Sequence, residues 1–313
     1  MNIVAMRKGA IGDSLLSFPV LAALRARYTD PRITFVGHPA VLPLARTWGI
    51  AEEVFNYEDR QWDEVFSSAG IHSSNVRDLF QQTDLAICWV QDPASLVKPN
   101  LLKAGVKEVI IGPWCASEKD TKHMVESLAE PLGLEPLGTE FVVSSTGWSN
   151  GFCPYNPPIA IHPGSSTGGR RWPTASFAAV IDQLLRLRYP VLLLAGPAEA
   201  EVLKEVRKQL SPSPQPGLLS VLQNAPLLEV ARRLQQCRYY LGNDSGIGHL
   251  AGMLGIPTLI LFGPASFISM PPHVMHPVGP RVETIQEQSL NRLSPDRVIE
   301  RMLRQLPENS YLH

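Results

Sequence analysis

Residues 1–28 read MNIVAMRKGAIGDSLLSFPVLAALRARY, and their order decides the fold. Ile3–Met6 is an unbroken apolar run of strand length, as expected of a strand covered on both faces of a parallel sheet. A turn containing Gly9 and Gly12 follows, and from about Asp13 to Tyr28 the pattern is that of a helix. The opening is therefore a βα unit. Outward from it, ITFVG at Ile33–Gly37, LAICWV at Leu85–Val90 and EVIIG at Glu108–Gly112 read as further buried strands separated by segments of helical length. Alternation of this kind implies an α/β domain with a parallel sheet.

Between Ser144 and Pro158 the sequence SSTGWSNGFCPYNPP gathers Ser, Gly, Asn and Pro and loses periodicity, which marks a linker. The expected domains are 1–150 and 151–313. The second half restarts the pattern with strands at Ile159–His162, Val191–Gly196, Tyr239–Gly242 and Thr258–Gly263, and with helices at Thr174–Arg188, at Ala198–Leu210 and from Ser245. Ser211–Gly217 is a Pro-rich loop, and Ser294-Pro295-Asp296 announces a final helix through an N-cap, an N1 proline and an acidic first turn. Two such domains facing each other leave a cleft lined by the loops that follow the strands, the usual ligand position in open α/β sheets.

At 313 residues and 44% hydrophobic content the chain can build two cores. Lys plus Arg number 28 against 29 Asp plus Glu, a formal charge of -1, so no global field favours nucleic acid or an anionic membrane. The apolar run at the N-terminus is cut by Arg7, Lys8 and Gly9, unlike a secretory signal. No stretch reaches the roughly 18 apolar residues of a spanning helix. Cys88, Cys115, Cys153 and Cys237 are widely spaced, which suits reduced thiols in the cytosol rather than zinc or disulfides.

Three strand-to-helix turns carry the chemistry. The first, Lys8–Asp13, lacks the three glycines of a dinucleotide fingerprint and puts an acid where a pyrophosphate would approach. Asp13 has two readings, a helix N-cap or a carboxylate at a cleft mouth that removes a proton from a hydroxyl. The second, His162–Pro173 (HPGSSTGGRRWP), combines hydroxyls, glycines and the guanidiniums of Arg170 and Arg171. That mixture suits a phosphate group, though a polar solvated loop has the same composition; Trp172-Pro173 reads as helix entry and packing. The third, Gly242–Gly252 (GNDSGIGHLAG), opens a helix whose free amides suit phosphates. Asp244 or Ser245 serves equally as its cap, Gly252 as a close-packing residue, and His249, one turn on from Ser245, as a structural histidine. Between the second and third, Glu199 and Glu201 are candidates to accept the hydroxyls of a ribose, or else acids favoured by the helix dipole.

Together and in this order the motifs resemble glycosyltransferase family nine, the heptosyltransferases of lipopolysaccharide core assembly. The resemblance is carried by GDSLLSFPVLAALR at Gly12–Arg25, HPGSSTGGRRWP at His162–Pro173 and GNDSGIGHLAGMLGIPTLILFGP at Gly242–Pro264. It implies a GT-B fold, with an N-terminal acceptor domain and a C-terminal donor domain whose last helix can pack back on the first. It also implies inverting, metal-independent transfer from a nucleotide sugar, with ADP-heptose the first choice, to a glycan or glycolipid acceptor. No other cofactor, no nucleic-acid partner and at most peripheral attachment to the inner membrane face are expected.

By the resemblance Asp13 is the base and Arg170 the basic residue that meets the leaving group, with Arg171 beside it. Ser165 and Ser166 are the hydroxyl pair; Asp244, Ser245, Gly246 and His249 hold phosphates and sugar; Glu199, or Glu201, binds ribose. The chain departs from the family pattern at Ala10, where a hydroxyl residue is common, and at Ala265–Pro272, which borders the donor site. A nucleotide-sugar 2-epimerase and a non-catalytic nucleotide-sugar binding protein are the competing readings.

Overall fold

The computed structural model describes residues 1–116, 120–135, 137–143, 155–165, 171–211, 217–264 and 270–306. The chain forms two compact units, Met1–Thr139 and Glu140–His313. Within the second unit the Val143 amide donates to the Met253 carbonyl at 3.0 Å. Residues 144–154, most of the expected linker, lie outside the described residues.

The first unit runs β1 (Asn2–Arg7), α1 (Ile11–Leu16), α2 (Phe18–Arg27), β2 (Arg32–Gly37), α3 (Leu42–Thr47), β3 (Glu53–Asn56), α4 (Ser74–Gln81), β4 (Leu85–Trp89), α5 (Val97–Lys103), β5 (Glu108–Ile111) and α6 (Met124–Ala129). Its five strands are all parallel, in the order β3-β2-β1-β4-β5. The expected single helix from Asp13 to Tyr28 is two. Pro19 has no N–H to offer the Leu15 carbonyl, so the ladder breaks at Ser17, whose hydroxyl donates to the Ser14 carbonyl at 2.6 Å. Phe18, just past the break, meets Phe35 and Trp48 edge-on at 6.0 Å each and fixes α2 on the sheet.

The second unit runs β6 (Ile159–His162), α7 (Thr174–Arg186), β7 (Val191–Ala195), α8 (Ala200–Gln209), β8 (Leu219–Gln223), α9 (Leu227–Gln235), β9 (Tyr239–Asn243), α10 (Gly246–Met253), β10 (Thr258–Phe262), α11 (Pro272–Met275), β11 (Val282–Gln286) and α12 (Pro295–Leu303). Its six-stranded sheet is again parallel, in the order β11-β10-β9-β6-β7-β8. Three strands, β3, β8 and β11, are not among those expected from the apolar runs; all are edge strands, and each carries exposed or half-buried residues. The final helix begins as expected, with the Ser294 hydroxyl accepting from the Arg297 amide at 3.4 Å. Val298, Ile299 and Met302 then enter the second unit's own core.

Trp172 is 1% exposed, meets Phe177 edge-on at 5.0 Å and donates from its indole N–H to the Leu293 carbonyl at 3.0 Å. It therefore packs, as its sequence context indicates, and ties the entry of α7 to the turn before α12. Among the described residues no helix is long and apolar enough to cross a membrane. Trp172→Ala should destabilise by about 3–5 kcal/mol, the usual cost of truncating a buried aromatic. The expected readout is a lower urea midpoint; an unchanged midpoint would show that the turn before α12 is held some other way.

Candidate functional site

Asp13 is the third residue of α1, and the helix N-cap is Ala10. The N-cap reading is thereby corrected: the helix starts two residues early, because an acid at its third position reaches back to the cap. Oδ2 accepts from the Ala10 amide at 2.9 Å. Oδ1 lies 3.4 Å from Nη2 of Arg7, and Nε of Arg7 donates to the Asp13 carbonyl at 3.2 Å. Among the described residues each carboxylate oxygen has one partner, and the side chain is 30% exposed, leaving lone pairs for a ligand.

Arg7 is wholly buried at the end of β1. Its Nη1 donates to the Trp114 carbonyl at 2.8 Å, so the guanidinium joins the β5–α6 loop to Asp13. Burial pulls its pKa below the ordinary arginine value, while Asp13 and then Cys115 pull it back up. In the sequence Arg7 reads only as an interruption of an apolar run. A cation ending a strand buried on both faces needs a partner, and the acid six residues on is the signal that could have found it.

Gly9 has φ +157°, and a Cβ there would stand 2.7 Å from Asp13 Cβ. The turn needs glycine on both counts. Beside Asp13 opens a hollow of about 290 Å³, walled by Tyr57, Trp62, Phe66, Val90 and Trp114 and edged by Lys8 and Asp63.

In the second unit three strand ends converge. His162, the last residue of β6, is buried, with Nδ1 3.2 Å from the Ser245 hydroxyl. Its Nε2 stands 4.0 Å from Glu199 Oε2, too far for a hydrogen bond. The same Oε2 accepts from the Gly196 amide at 2.6 Å. His162 is the main cause holding the Glu199 carboxyl below its ordinary range, against the opposing effect of burial, and the Gly196 amide and Arg171 add to the pull. Gly164 makes the convergence possible, since a Cβ there would lie 2.5 Å from Glu199 Cγ and 2.7 Å from His162 Nε2. Glu201, the alternative to Glu199, points to solvent, 81% exposed and 3.6 Å from Lys204.

Ser245 is the N-cap of α10 by backbone geometry, yet its side chain does not cap that helix, because its hydroxyl is turned to His162. Asp244 and Gly246 flank it, half-buried, and His249 is buried one turn into α10. Gly252 is a packing glycine, its missing Cβ 2.5 Å from the Val278 carbonyl. The hydroxyl of Ser165 is buried and has no hydrogen-bond partner among the described residues. Arg171 is half-buried; Ser166, Arg170 and residues 265–269 lie outside the described residues.

Asn243, to which no sequence motif assigns a role, fastens this site. It is fully buried; Oδ1 accepts from the Trp172 amide at 3.0 Å, and Nδ2 donates to the Pro163 carbonyl at 2.9 Å. One amide side chain thus clamps both ends of the loop holding Ser165. Cys88 and Cys237 are buried thiols pushed up to about 12 by desolvation. Neither is suited to a nucleophile's task.

Two parallel-sheet units whose polar side chains gather at strand carboxyl ends define an α/β protein of the doubly wound class. The chain belongs to glycosyltransferase family 9 (heptosyltransferase), whose profile matches residues 139–302, and it is a glycosyltransferase. It is 28% identical over 300 residues to lipooligosaccharide heptosyltransferase 2 of Haemophilus influenzae, covering 87% of this chain and 86% of the relative. Its fold is that of the E. coli ADP-heptose lps heptosyltransferase II structure, with a TM-score of 0.74, 21% identity and coverage of 97% and 98%. E. coli heptosyltransferase WaaC with ADP gives 0.73, at 17% identity with 98% and 100% covered.

Because Glu199 is held below its ordinary value of 4.5 in the folded state, its contribution to stability is fully present above about that pH and is lost as pH falls through the depressed value. Glu199→Gln should therefore be less stable than the parent at pH 7, with the gap closing in acid. Urea midpoints measured against pH check this; a constant gap would mean that Glu199 contributes no charge-dependent stability.

Proposed function

We propose that this chain moves a heptose from ADP-heptose to a hydroxyl of a lipopolysaccharide-core glycan, with inversion and without a metal ion. Asp13 takes the proton of the acceptor hydroxyl as that oxygen attacks the anomeric carbon and the bond to the diphosphate breaks. Arg170, with Arg171, meets the charge that develops on the departing nucleoside diphosphate. The uncapped amides at Ser245-Gly246 and the hydroxyls of Ser165 and Ser166 hold its phosphates, with Asp244 and His249 on the sugar and Glu199 on the ribose. In this reading the first unit takes the acceptor and the second the donor, and acceptor lipids bring the enzyme to the inner face of the cytoplasmic membrane as a peripheral visitor.

The observation that carries the reading is the Asp13 carboxylate at the edge of a sugar-sized hollow, anchored by one bond to each oxygen and open on the rest. The buried Ser165 hydroxyl, without a partner among the described residues, supports the donor side, because a ligand atom would relieve a cost of about 1–3 kcal/mol. The likeness to a heptosyltransferase over most of both chains supports the sugar.

Mass spectrometry of product formed from a panel of nucleotide sugars tests it, with ADP-heptose expected to be used best. Asp13→Asn should lower kcat by at least about 10²-fold, the usual contribution of a general base. That variant also leaves the buried Arg7 charge without its carboxylate, so the thermal midpoint is followed in parallel. Undiminished transfer by a folded Asp13→Asn enzyme would sink the mechanism. Excess EDTA should leave the rate unchanged, and a rate restored only by added divalent cation would overturn the metal-free step.

A further inference from the structure

Trp114 lies in the loop between β5 and α6, exposed to 45% although it is the largest apolar side chain there. Its backbone carbonyl is gripped by the buried Arg7, so its position is fixed from within. Trp114 lines two hollows of the first unit: the one beside Asp13, and a neighbour formed by the β4–α5 loop with Ser95 and Lys98. Val90 and Gln91 are also common to both. The hollows are therefore neighbours that share the wall formed by Val90, Gln91 and Trp114.

Their charges differ. Beside Asp13, among the described residues, the carboxylates of Asp13 and Asp63 face a single uncommitted cation, Lys8, since Arg7 is occupied by Asp13 and two carbonyls. In the neighbouring hollow the Asp92 carboxylate is satisfied by the Leu96 and Val97 amides at 3.0 and 2.9 Å, and Lys98 is on the wall. An anionic ring beside Asp13 would meet two like charges; a neutral one would meet aromatic carbon on its C–H face and polar edges for its hydroxyls.

Resting on the reading of Asp13 as the base, we propose that the acceptor is recognised as a glycan of at least two sugar units, with a neutral ring seated beside Asp13, the next unit in the Ser95–Lys98 hollow, and Trp114 stacked under the junction. Trp114 is here a specificity-determining residue, apart from the chemistry.

Binding by calorimetry of three probes tests this: a methyl heptoside, the corresponding heptose disaccharide, and that disaccharide phosphorylated on the ring that accepts transfer. The parent enzyme should bind the disaccharide about tenfold or more tighter than the monosaccharide, as expected of an aromatic contact at the centre of a site, and the phosphate on the accepting ring should weaken binding. Trp114→Ala should remove the disaccharide advantage while ADP-heptose binding stays within about twofold, a change too small to mark a lost contact; Trp114→Phe should keep most of it. Equal affinity for the two neutral probes, no glycan binding by the parent, or an advantage that survives in Trp114→Ala would overturn the proposal. Disaccharide binding lost in Trp114→Ala, in an enzyme that transfers nothing from ADP-heptose, would uphold the platform and sink the donor assignment instead.

Discussion

A parallel sheet covered on both faces has no room for chemistry along its strands. Every strand enters at the same end and leaves at the other, its middle residues mostly sealed by helices, and side chains that could meet a ligand gather where the chain emerges to turn back. Both units obey this constraint. β1, paired with β2 and β4, delivers Asp13; β6, paired with β7 and β9, delivers Ser165, and its two neighbours deliver Glu199 and Ser245. The groups of the second unit meet because the strands carrying them are adjacent in the sheet, although they are far apart in the chain.

The loop leaving each strand end then has to be held in place, and here the molecule uses buried polar groups rather than apolar packing. In the first unit a wholly buried guanidinium binds the turn carrying Asp13 to the loop after β5. In the second an asparagine amide does the corresponding work with neutral bonds. The difference has a physical logic: beside a carboxylate that is itself mostly buried, a cation offsets the burial of negative charge, whereas a loop with no buried carboxylate to balance can be held by an uncharged clamp.

Much of this is legible in the residue order. Runs such as VLLLA and TLILF can only be interior strands, and all the central ones can be placed from sequence. The strands that escape such a reading, at Glu53–Asn56, Leu219–Gln223 and Val282–Gln286, are edges with one flank open to water, so their composition is mixed and no apolar run announces them. Asp13 stands out through its motif, but its helix position does not, because a carboxylate looks alike in sequence whether it caps a helix or reaches back to the cap. Asn243 and Arg7 stay hidden for another reason: most of their partners are carbonyls and amides, which nearly every residue has and no motif displays.

Gly164 has a consequence for the history of such a site. Its backbone is ordinary, and what forbids a side chain is the volume already taken by Glu199 and His162. The three positions therefore share one space and cannot drift separately. A lineage that exchanged this site for another would have to shorten the glutamate before the glycine could grow; taken in the opposite order, the intermediate would carry a misplaced acid. The path between two such sites is thus directional, set by a single methyl group's worth of room.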